Sequence, residues 1–203
     1  MPEKDSTRDP TQADFWNSRF EQGVTPWNRG AVPQALINYL HQNPAKHCCL
    51  IPGCGHAHEV VFLCEQGWDV TAIDFSAAAV STAKAQLGKW ADRVQQADFF
   101  NFQVTHPLSI IYERAFFCAL PPAIRASIVT RWASLLLKGG LVIGFFFIDD
   151  DERASKRGPP FRTSSVELSS LMQMYFVLEE DRAVADSLAV FEGKERWQVW
   201  RRK

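Results

Sequence analysis

The sequence has no long hydrophobic run. Its longest apolar stretch covers residues 141–148, which is the length of a strand and too short to cross a bilayer. Residues 1–12 are polar, so we expect no signal peptide. These absences predict a cytoplasmic protein without a membrane partner.

The sequence also lacks paired cysteines and an excess of one charge. Its five cysteines are odd in number and form no C-x-x-C pair, which is typical of reduced, mostly buried thiols in an intracellular protein. We see no cluster of metal ligands, and therefore expect no metal site. The net charge is −1, whereas a nucleic-acid scaffold needs clustered Lys and Arg, so we expect no nucleic-acid partner.

What the chain does have is enough apolar content for one domain with a substantial core, at 203 residues and 46% hydrophobic. Apolar segments alternate with helical ones, which predicts an α/β fold with a mostly parallel sheet and helices on both faces. The predicted strands are 48–51, 69–74, 94–97, 108–115 and 141–148, followed by an antiparallel pair at 175–180 and 195–200.

Two further segments give specific expectations. A helix predicted at 122–137 should stop at Gly139 and Gly140, since glycine commonly terminates helices. The polar connection at 149–162 is long for a compact domain, and is either a mobile linker or a functional lid.

A glycine-rich turn follows the first predicted strand. Gly53 and Gly55 leave no Cβ in the way of a ligand, and Asp74 ends the next strand, where its oxygens can accept hydrogen bonds from a ribose. The dinucleotide fingerprint requires a third glycine where this chain has His58. A nucleoside without pyrophosphate, such as S-adenosylmethionine, is therefore favoured over NAD. A nucleotide-dependent oxidoreductase, or a tight turn beside a surface aspartate, remains an alternative.

Several separated segments resemble one family, the thiopurine and thiol methyltransferases, which includes thiopurine, thiocyanate and halide methyltransferases. The Gly-x-Gly turn alone is weak evidence, whereas the N-terminal tryptophan segment together with a late Gly-Pro-Pro-Phe is much more specific. The matching segments are 15–16, 23–27, 51–55, 73–76, 116–120 with Arg125, and 158–161.

The resemblance implies a seven-stranded Rossmann-like methyltransferase fold that binds S-adenosylmethionine. It implies a single domain over residues 1–203, with N-terminal cap helices in 1–45 and the Rossmann-like core in 46–203. Trp16 and Trp27 would cover the cofactor, where an aromatic face suits a sulfonium, although both could simply pack in the core. The other implied cofactor-binding residues are Gly53, Cys54, Gly55, Asp74, Phe75, Ser76, Asp98, Phe99 and Arg114.

Individual roles within this set differ. Asp74 would bind the ribose, and Asp98 with Phe99 would contact the adenine, although Asp98 could equally cap the following turn. Cys54 would contribute backbone and not act as a nucleophile. His56 and His58 flank the turn and are expected at the surface.

Arg114 lies near the carboxyl end of the fourth predicted strand and is the candidate catalytic residue. An arginine in an apolar strand needs a partner, and Glu113 or the cofactor carboxylate could supply one. The resembling thiopurine-type enzymes also carry arginine here, whereas the halide type commonly carries tyrosine. The prediction is an S-methyltransferase acting on a small-molecule thiol; halide, thiocyanate, selenium or tellurium methylation, or cofactor binding without catalysis, are alternatives. Neither the acceptor nor the oligomeric state follows from the sequence.

Overall fold

The computed structural model describes residues 6–203, so residues 1–5, which belong to the polar start of the chain and to the predicted cap, lie outside the described residues. It contains a seven-stranded sheet in the order β3-β2-β1-β4-β5-β7-β6. The strands are β1 (Cys48–Pro52), β2 (Asp69–Asp74), β3 (Val94–Gln96), β4 (Leu108–Arg114), β5 (Leu136–Phe147), β6 (Phe176–Ala183) and β7 (Glu195–Arg202). Strands β1 to β5 pair in parallel, and β7 pairs antiparallel with both β5 and β6. The predicted mostly parallel sheet with a C-terminal antiparallel hairpin is confirmed.

Six α-helices accompany this sheet in the described part of the chain. They are α1 (Ala13–Glu21), α2 (Gln34–Gln42), α3 (His58–Glu65), α4 (Ala77–Gln86), α5 (Arg125–Leu135) and α6 (Ser165–Met172). Serine caps begin two of these helices, because the Ser76 hydroxyl accepts from Ala79 N at 3.1 Å and the Ser164 hydroxyl from Glu167 N at 3.1 Å. Each cap satisfies a backbone N–H that the helix itself leaves unpaired.

The core lies on both faces of the sheet. One cluster of buried residues packs α2 and α3 against the sheet around Trp197, and the other packs α5 against it around Trp132. Adjacent residues of a strand contribute to opposite clusters, as Ile110 and Ile111 of β4 do, because side chains alternate along a strand. Burial on both faces explains the continuous apolar character of the central strands.

The prediction that Gly139 and Gly140 end a helix is wrong. Helix α5 ends at Leu135 and β5 begins at once, so that both glycines lie within the strand. Pairing shifts register there, because Leu108 faces Leu136 while Ile110 already faces Leu141. Gly139, at φ 77°, takes the left-handed conformation that this irregularity requires. Pairing with β4 therefore outweighs the local helix-ending signal.

The connection between β5 and α6 is anchored at its far end. Phe161 N donates to Cys118 O at 2.6 Å, and the buried Arg125 donates through Nη2 to the carbonyls of Phe161 and Arg162 at 3.1 and 2.7 Å. Arg125 also pairs with Glu167 at 2.7 Å. These contacts hold this end of the connection in place and give Arg125 a structural role.

Candidate functional site

A cavity of about 800 Å³ lies where the carboxyl ends of β1, β2, β3 and β4 meet. In an open parallel sheet this edge is the usual ligand position, beside the point where strand order reverses. Here the order reverses between β1 and β4. The structure brings ten of the eleven predicted site residues to this cavity, namely Trp16, Trp27, Gly53, Cys54, Gly55, Asp74, Phe75, Asp98, Phe99 and Arg114.

Ser76 is the exception, since it does not line the cavity. Its hydroxyl caps α4 and donates to Asn17 Oδ1 at 2.7 Å, and its side chain is fully buried. The expectation of a Ser76 side chain in contact with the cofactor therefore finds no support. What Ser76 does contribute is its backbone N–H, which donates to Asp74 Oδ1 at 2.9 Å.

The glycine turn is open to the cavity. Gly53 and Gly55 have φ of 58° and 52°, a conformation that side chains rarely adopt. A Cβ on Gly53 would stand 2.7 Å from a ring carbon of Phe116, and a Cβ on Gly55 would stand 3.5 Å from Phe20. Glycine at both positions thus lets a ligand meet the backbone directly, between two aromatic rings that sequence reasoning missed.

Asp74 is buried and oriented by the backbone. Its Oδ2 accepts from Gly55 N at 3.1 Å and its Oδ1 from Ser76 N at 2.9 Å. Burial raises the pKa of Asp74 to about 6, although these backbone hydrogen bonds oppose the shift. Each carboxylate oxygen keeps a further lone pair, so the group can accept from two ribose hydroxyls.

The turn after β3 carries Asp98 and Phe99. Asp98 accepts from Phe100 N at 3.0 Å and from Asn101 Nδ2 at 2.5 Å, so it caps its turn and also borders the cavity. Phe99 is buried and packs edge to face with Phe116 at 5.0 Å between ring centroids. The Phe99 ring thus forms an apolar wall with the Asp98 carboxylate at its edge. This arrangement suits a purine ring.

The two tryptophans close the cavity from the N-terminal side. Their rings meet edge to face at 5.4 Å, and Trp16 Nε1 donates to Pro10 O at 2.8 Å. Trp16 is buried while Trp27 is half-buried, and both border the cavity. Trp16 thus packs in the core and also lines the cavity.

The two histidines of the turn also border the cavity. Their rings stack at 5.7 Å, and His58 Nε2 lies 2.9 Å from Asn28 Oδ1. Both are half-buried, and burial followed by the neighbouring His58 lowers the pKa of His56. The expected surface position is therefore only partly correct.

Arg114 enters the cavity from the end of β4. Its side chain is 11% exposed, with Nε 3.8 Å from Glu59 Oε1 and the guanidinium carbon 4.7 Å from the Phe145 ring centroid. Nη1 and Nη2 are buried and have no hydrogen-bond partner among residues 6–203. Burial opposes the charged form, but the oxygens of Tyr112 and Glu59 outweigh it and raise the pKa of Arg114 above its usual value.

Pairing of Arg114 with Glu113, one of the two expected alternatives, is wrong. Successive side chains of a strand point to opposite faces, and the Glu113 carboxylate accepts from Phe117 N at 3.0 Å instead. The partner is Glu59, in the first turn of α3 directly after the glycine turn. An acidic residue in the first turn of the helix that follows the glycine turn is the sequence feature from which Glu59 could have been predicted as the partner.

The cysteines make no disulfide. Cys49, Cys64 and Cys118 are buried thiols, and Cys48 and Cys54 are half-buried. Burial raises the pKa of the Cys54 thiol well above its usual value, which disfavours the thiolate that a nucleophile needs.

Comparison with known proteins identifies the family. A family model described as Thiopurine S-methyltransferase (TPMT) matches residues 11–203. The chain belongs to the thiopurine S-methyltransferase family. It is an S-adenosylmethionine-dependent methyltransferase, which decides against the oxidoreductase and against a binding protein without catalysis.

Relatives within the thiopurine S-methyltransferase family differ in their named acceptors. "Probable thiol methyltransferase 2" of Arabidopsis thaliana is 29% identical over 196 residues, covering 92% of this chain and 84% of the relative. "Thiocyanate methyltransferase 1" of Brassica oleracea is 25% identical over 194 residues, covering the same shares of 92% and 84%. At these identities the acceptor does not follow from the name.

The fold agrees with solved methyltransferase structures. Magnesium protoporphyrin IX methyltransferase from Synechocystis PCC 6803, solved with bound S-adenosylmethionine, superposes with a TM-score of 0.74 over 100% of both chains at 15% identity. This similarity shows that the chain has the Rossmann-like methyltransferase fold. Within residues 6–203, no helix has the length and apolar character needed to cross a membrane. Nor do three or more His, Cys, Asp or Glu side chains of this part group as a metal site would require.

Proposed function

We propose that the chain transfers the methyl group of S-adenosylmethionine to the sulfur of a small-molecule thiol. The observation that carries this proposal is Arg114, a buried guanidinium with two unpartnered nitrogens in the cavity wall. A cation in such a place stabilises an anionic nucleophile more strongly than it would in water. A thiolate fits this requirement.

The proposed reaction needs no side-chain base. The cofactor supplies a methyl group already activated on a sulfonium. Arg114 favours the ionised thiol, whose proton passes to solvent. The thiolate sulfur bonds to the methyl carbon as the carbon–sulfonium bond breaks, which leaves a thioether and S-adenosylhomocysteine. The remaining task of the protein is to align the reactants in a dry cavity.

The proposed cofactor contacts follow the geometry of the cavity. Asp74 would accept from the ribose, and Asp98 with Phe99 would hold the adenine. The Gly53 to Gly55 backbone would approach the cofactor directly, with Cys54 contributing backbone only. Trp16, Trp27 and Phe75 would enclose it. The aromatic pair Trp16 and Trp27 suits a sulfonium, because a ring face attracts a cation.

Product analysis tests the thiol assignment. Purified protein with S-adenosylmethionine should form S-adenosylhomocysteine in the presence of aromatic or inorganic thiols, measured by chromatography together with the methylated thioether. Matched acceptors with hydroxyl in place of thiol should give no product. If no thiol in a broad panel is methylated although S-adenosylmethionine still binds, the assignment of a thiol sulfur as the methyl acceptor is wrong.

A second candidate is methylation of thiocyanate, halide, selenium or tellurium species. The name of the Brassica oleracea relative favours it, as does the charge of Arg114, which would attract any small anion. The cavity of about 800 Å³ has to hold the cofactor as well as the acceptor, so its volume does not distinguish the two candidates. Headspace analysis for volatile methyl products distinguishes the two candidates.

Replacing Asp74 by alanine should weaken S-adenosylmethionine binding by about 1 to 3 kcal/mol, because the ribose loses its acceptors and two backbone N–H groups lose theirs. Calorimetry measures this change. Asp69→Ala, at the opposite end of β2, is the matched control, since Asp69 is exposed and pairs with Arg93 at the surface, away from the cavity. An unchanged dissociation constant in Asp74→Ala would show that the ribose lies elsewhere.

The same carboxylate predicts a pH dependence of cofactor affinity. Since the pKa of Asp74 is raised to about 6, protonation below that pH removes acceptor capacity, and the dissociation constant should rise as the pH falls from 7.5 to 5.5. Asp74→Asn should show a weaker affinity that changes little over this range. An equal pH dependence in both proteins would assign the titration to another group.

The cytoplasmic location, the lack of a nucleic-acid partner and the division into a cap at 1–45 and a core at 46–203 stay predictions.

A further inference from the structure

An ion pair joins two segments that lie far apart in the sequence. Arg29 Nη1 donates to the backbone oxygen of Asp186 at 2.5 Å, and Arg29 Nη2 lies 2.8 Å from Asp186 Oδ2. The side chains are 23% and 33% exposed, respectively. Arg29 belongs to the connection between α1 and α2, and Asp186 to the connection between β6 and β7. The double contact fixes the orientation of the guanidinium as well as its distance.

The pair spans one particular half of the cavity. The cofactor half lies over the ends of β1, β2 and β3, where Asp74 and Asp98 are found. Arg29 borders the cavity from the N-terminal connection, and Val190 and Phe191 border it from the β6–β7 connection. Phe191 packs on Phe147 at the end of β5, with 5.6 Å between ring centroids. The pair therefore bridges the half on the β5 side, which lies away from the cofactor cradle.

The Asp186 end of this bridge is held firmly. The buried Glu195 accepts, through Oε2, from Ser187 Oγ at 2.8 Å and from Leu188 N at 2.9 Å. Both donors directly follow Asp186 in the chain. The β6–β7 connection is thus tied to β7 next to the ion pair.

The Arg29 end is held through the neighbouring Asn28. Asn28 Oδ1 accepts from Gly30 N at 2.9 Å and lies 2.9 Å from His58 Nε2. Residues 22–33 between α1 and α2 form neither helix nor strand. The β6–β7 connection likewise contains neither α-helix nor strand, so each of the two joined segments can move without breaking one.

We propose that Arg29 and Asp186 are positioning residues for the methyl acceptor. Their ion pair draws the N-terminal connection against the β6–β7 connection and closes the acceptor half of the cavity over the bound molecule. A partly exposed pair shifts such an equilibrium by up to about fivefold, so it closes the cavity and still opens for entry and release. The proposal rests on the proposed function in that the acceptor occupies this half.

Steady-state kinetics test the proposal with Arg29→Met and Asp186→Asn. In each variant the KM for the acceptor should rise about threefold to fivefold, with a smaller change in kcat and an unchanged Kd for S-adenosylmethionine. The double variant should be no worse than Arg29→Met alone, because Arg29→Met removes both contacts, whereas Asp186→Asn removes the side-chain ion pair and keeps the hydrogen bond to the Asp186 backbone oxygen. Arg29→Lys should restore part of the loss.

Asp181→Asn is the matched control. Asp181 lies on β6 and pairs with Arg196 of β7 at 2.6 Å, with side-chain exposures of 32% and 38%. The charge change and the exposure are close to those of Asp186→Asn, but neither Asp181 nor its partner Arg196 borders the cavity, whereas Asp186 pairs with Arg29, which does. This variant should leave the acceptor KM unchanged.

A second measurement needs no turnover and so separates this proposal from the thiol assignment. Cys118 borders the cavity, whereas Cys49 is buried in β1 away from it. Labelling by N-ethylmaleimide, followed by peptide mass spectrometry, should be faster at Cys118 in Asp186→Asn than in the unmodified protein, and unchanged at Cys49. If no thiol is methylated, the proposed function fails while this experiment still decides on the ion pair.

Two results would overturn the proposal. One is an Asp186→Asn variant that matches Asp181→Asn in both acceptor KM and Cys118 labelling. The other is an equal acceleration at Cys118 and Cys49, which would mean that the variant loosens the whole fold.

Discussion

Replacing Arg114 by methionine should lower kcat by about 100-fold or more, while the Kd for S-adenosylmethionine changes by no more than about threefold. Methionine keeps much of the apolar stem but removes the guanidinium that lies over Phe145, and with it the cation at the cavity. The thiolate then loses its stabilisation in the reacting complex, and the cofactor cradle around Asp74 is untouched. Single-turnover kinetics and calorimetry measure the two quantities separately.

The Arg114 variant leaves a buried carboxylate without its partner. Glu59 lies 3.8 Å from Arg114 Nε, so Arg114→Met combined with Glu59→Gln avoids an unpaired buried charge and serves as the folding control. Arg114→Lys should retain part of the activity, because it keeps the charge. With methionine, kcat should also rise with pH as the acceptor thiol ionises unaided.

Equal losses in turnover and in cofactor affinity would contradict this assignment. They would make Arg114 a ligand of the cofactor carboxylate, which is the surviving alternative from the sequence.

Replacing Gly144 by alanine should destabilise the fold by about 4 kcal/mol or more, a loss that leaves little folded protein. Gly144 lies in the middle of β5 with φ of 148°, opposite Glu113 in the central β4–β5 pair. A Cβ there would stand 1.8 Å from Glu113 O and 2.7 Å from the carbonyl carbon. The obstacle is backbone of the neighbouring strand, which cannot move aside without breaking the sheet.

Urea unfolding followed by tryptophan fluorescence measures the effect on the free energy of unfolding. Gly139→Ala is the matched control, because Gly139 lies in the same strand with φ of 77° and a Cβ there meets no atom within 4 Å. The control should lose only about 1 kcal/mol, from backbone strain. Similar losses in the two variants would refute the proposed clash.

Local patterns predicted much of this fold. The strands end within a few residues of their predicted positions where apolar runs are bounded by turns, as at β2. The start of β5 was missed, because its pairing with β4 joins residues that no local window contains. The hydrogen bond from the Ser76 hydroxyl to Asn17 could not be predicted for the same reason, because Asn17 lies in α1, 59 residues earlier in the chain.

The sequence by itself determined the methyl donor through its resemblance to the thiopurine and thiol methyltransferases, because the glycine turn alone left NAD open and the N-terminal tryptophans with the late Gly-Pro-Pro-Phe favoured S-adenosylmethionine. The glycine turn, the aspartate that ends the next strand and the absence of a third glycine are local features with fixed spacing, and the structure places Asp74 and Gly55 in direct contact. Only the tertiary structure decided the partner of Arg114 and the ion pair of Arg29 with Asp186. These contacts depend on which distant segments the sheet order brings together. The residues next to a side chain in the sequence do not indicate a partner more than fifty residues away.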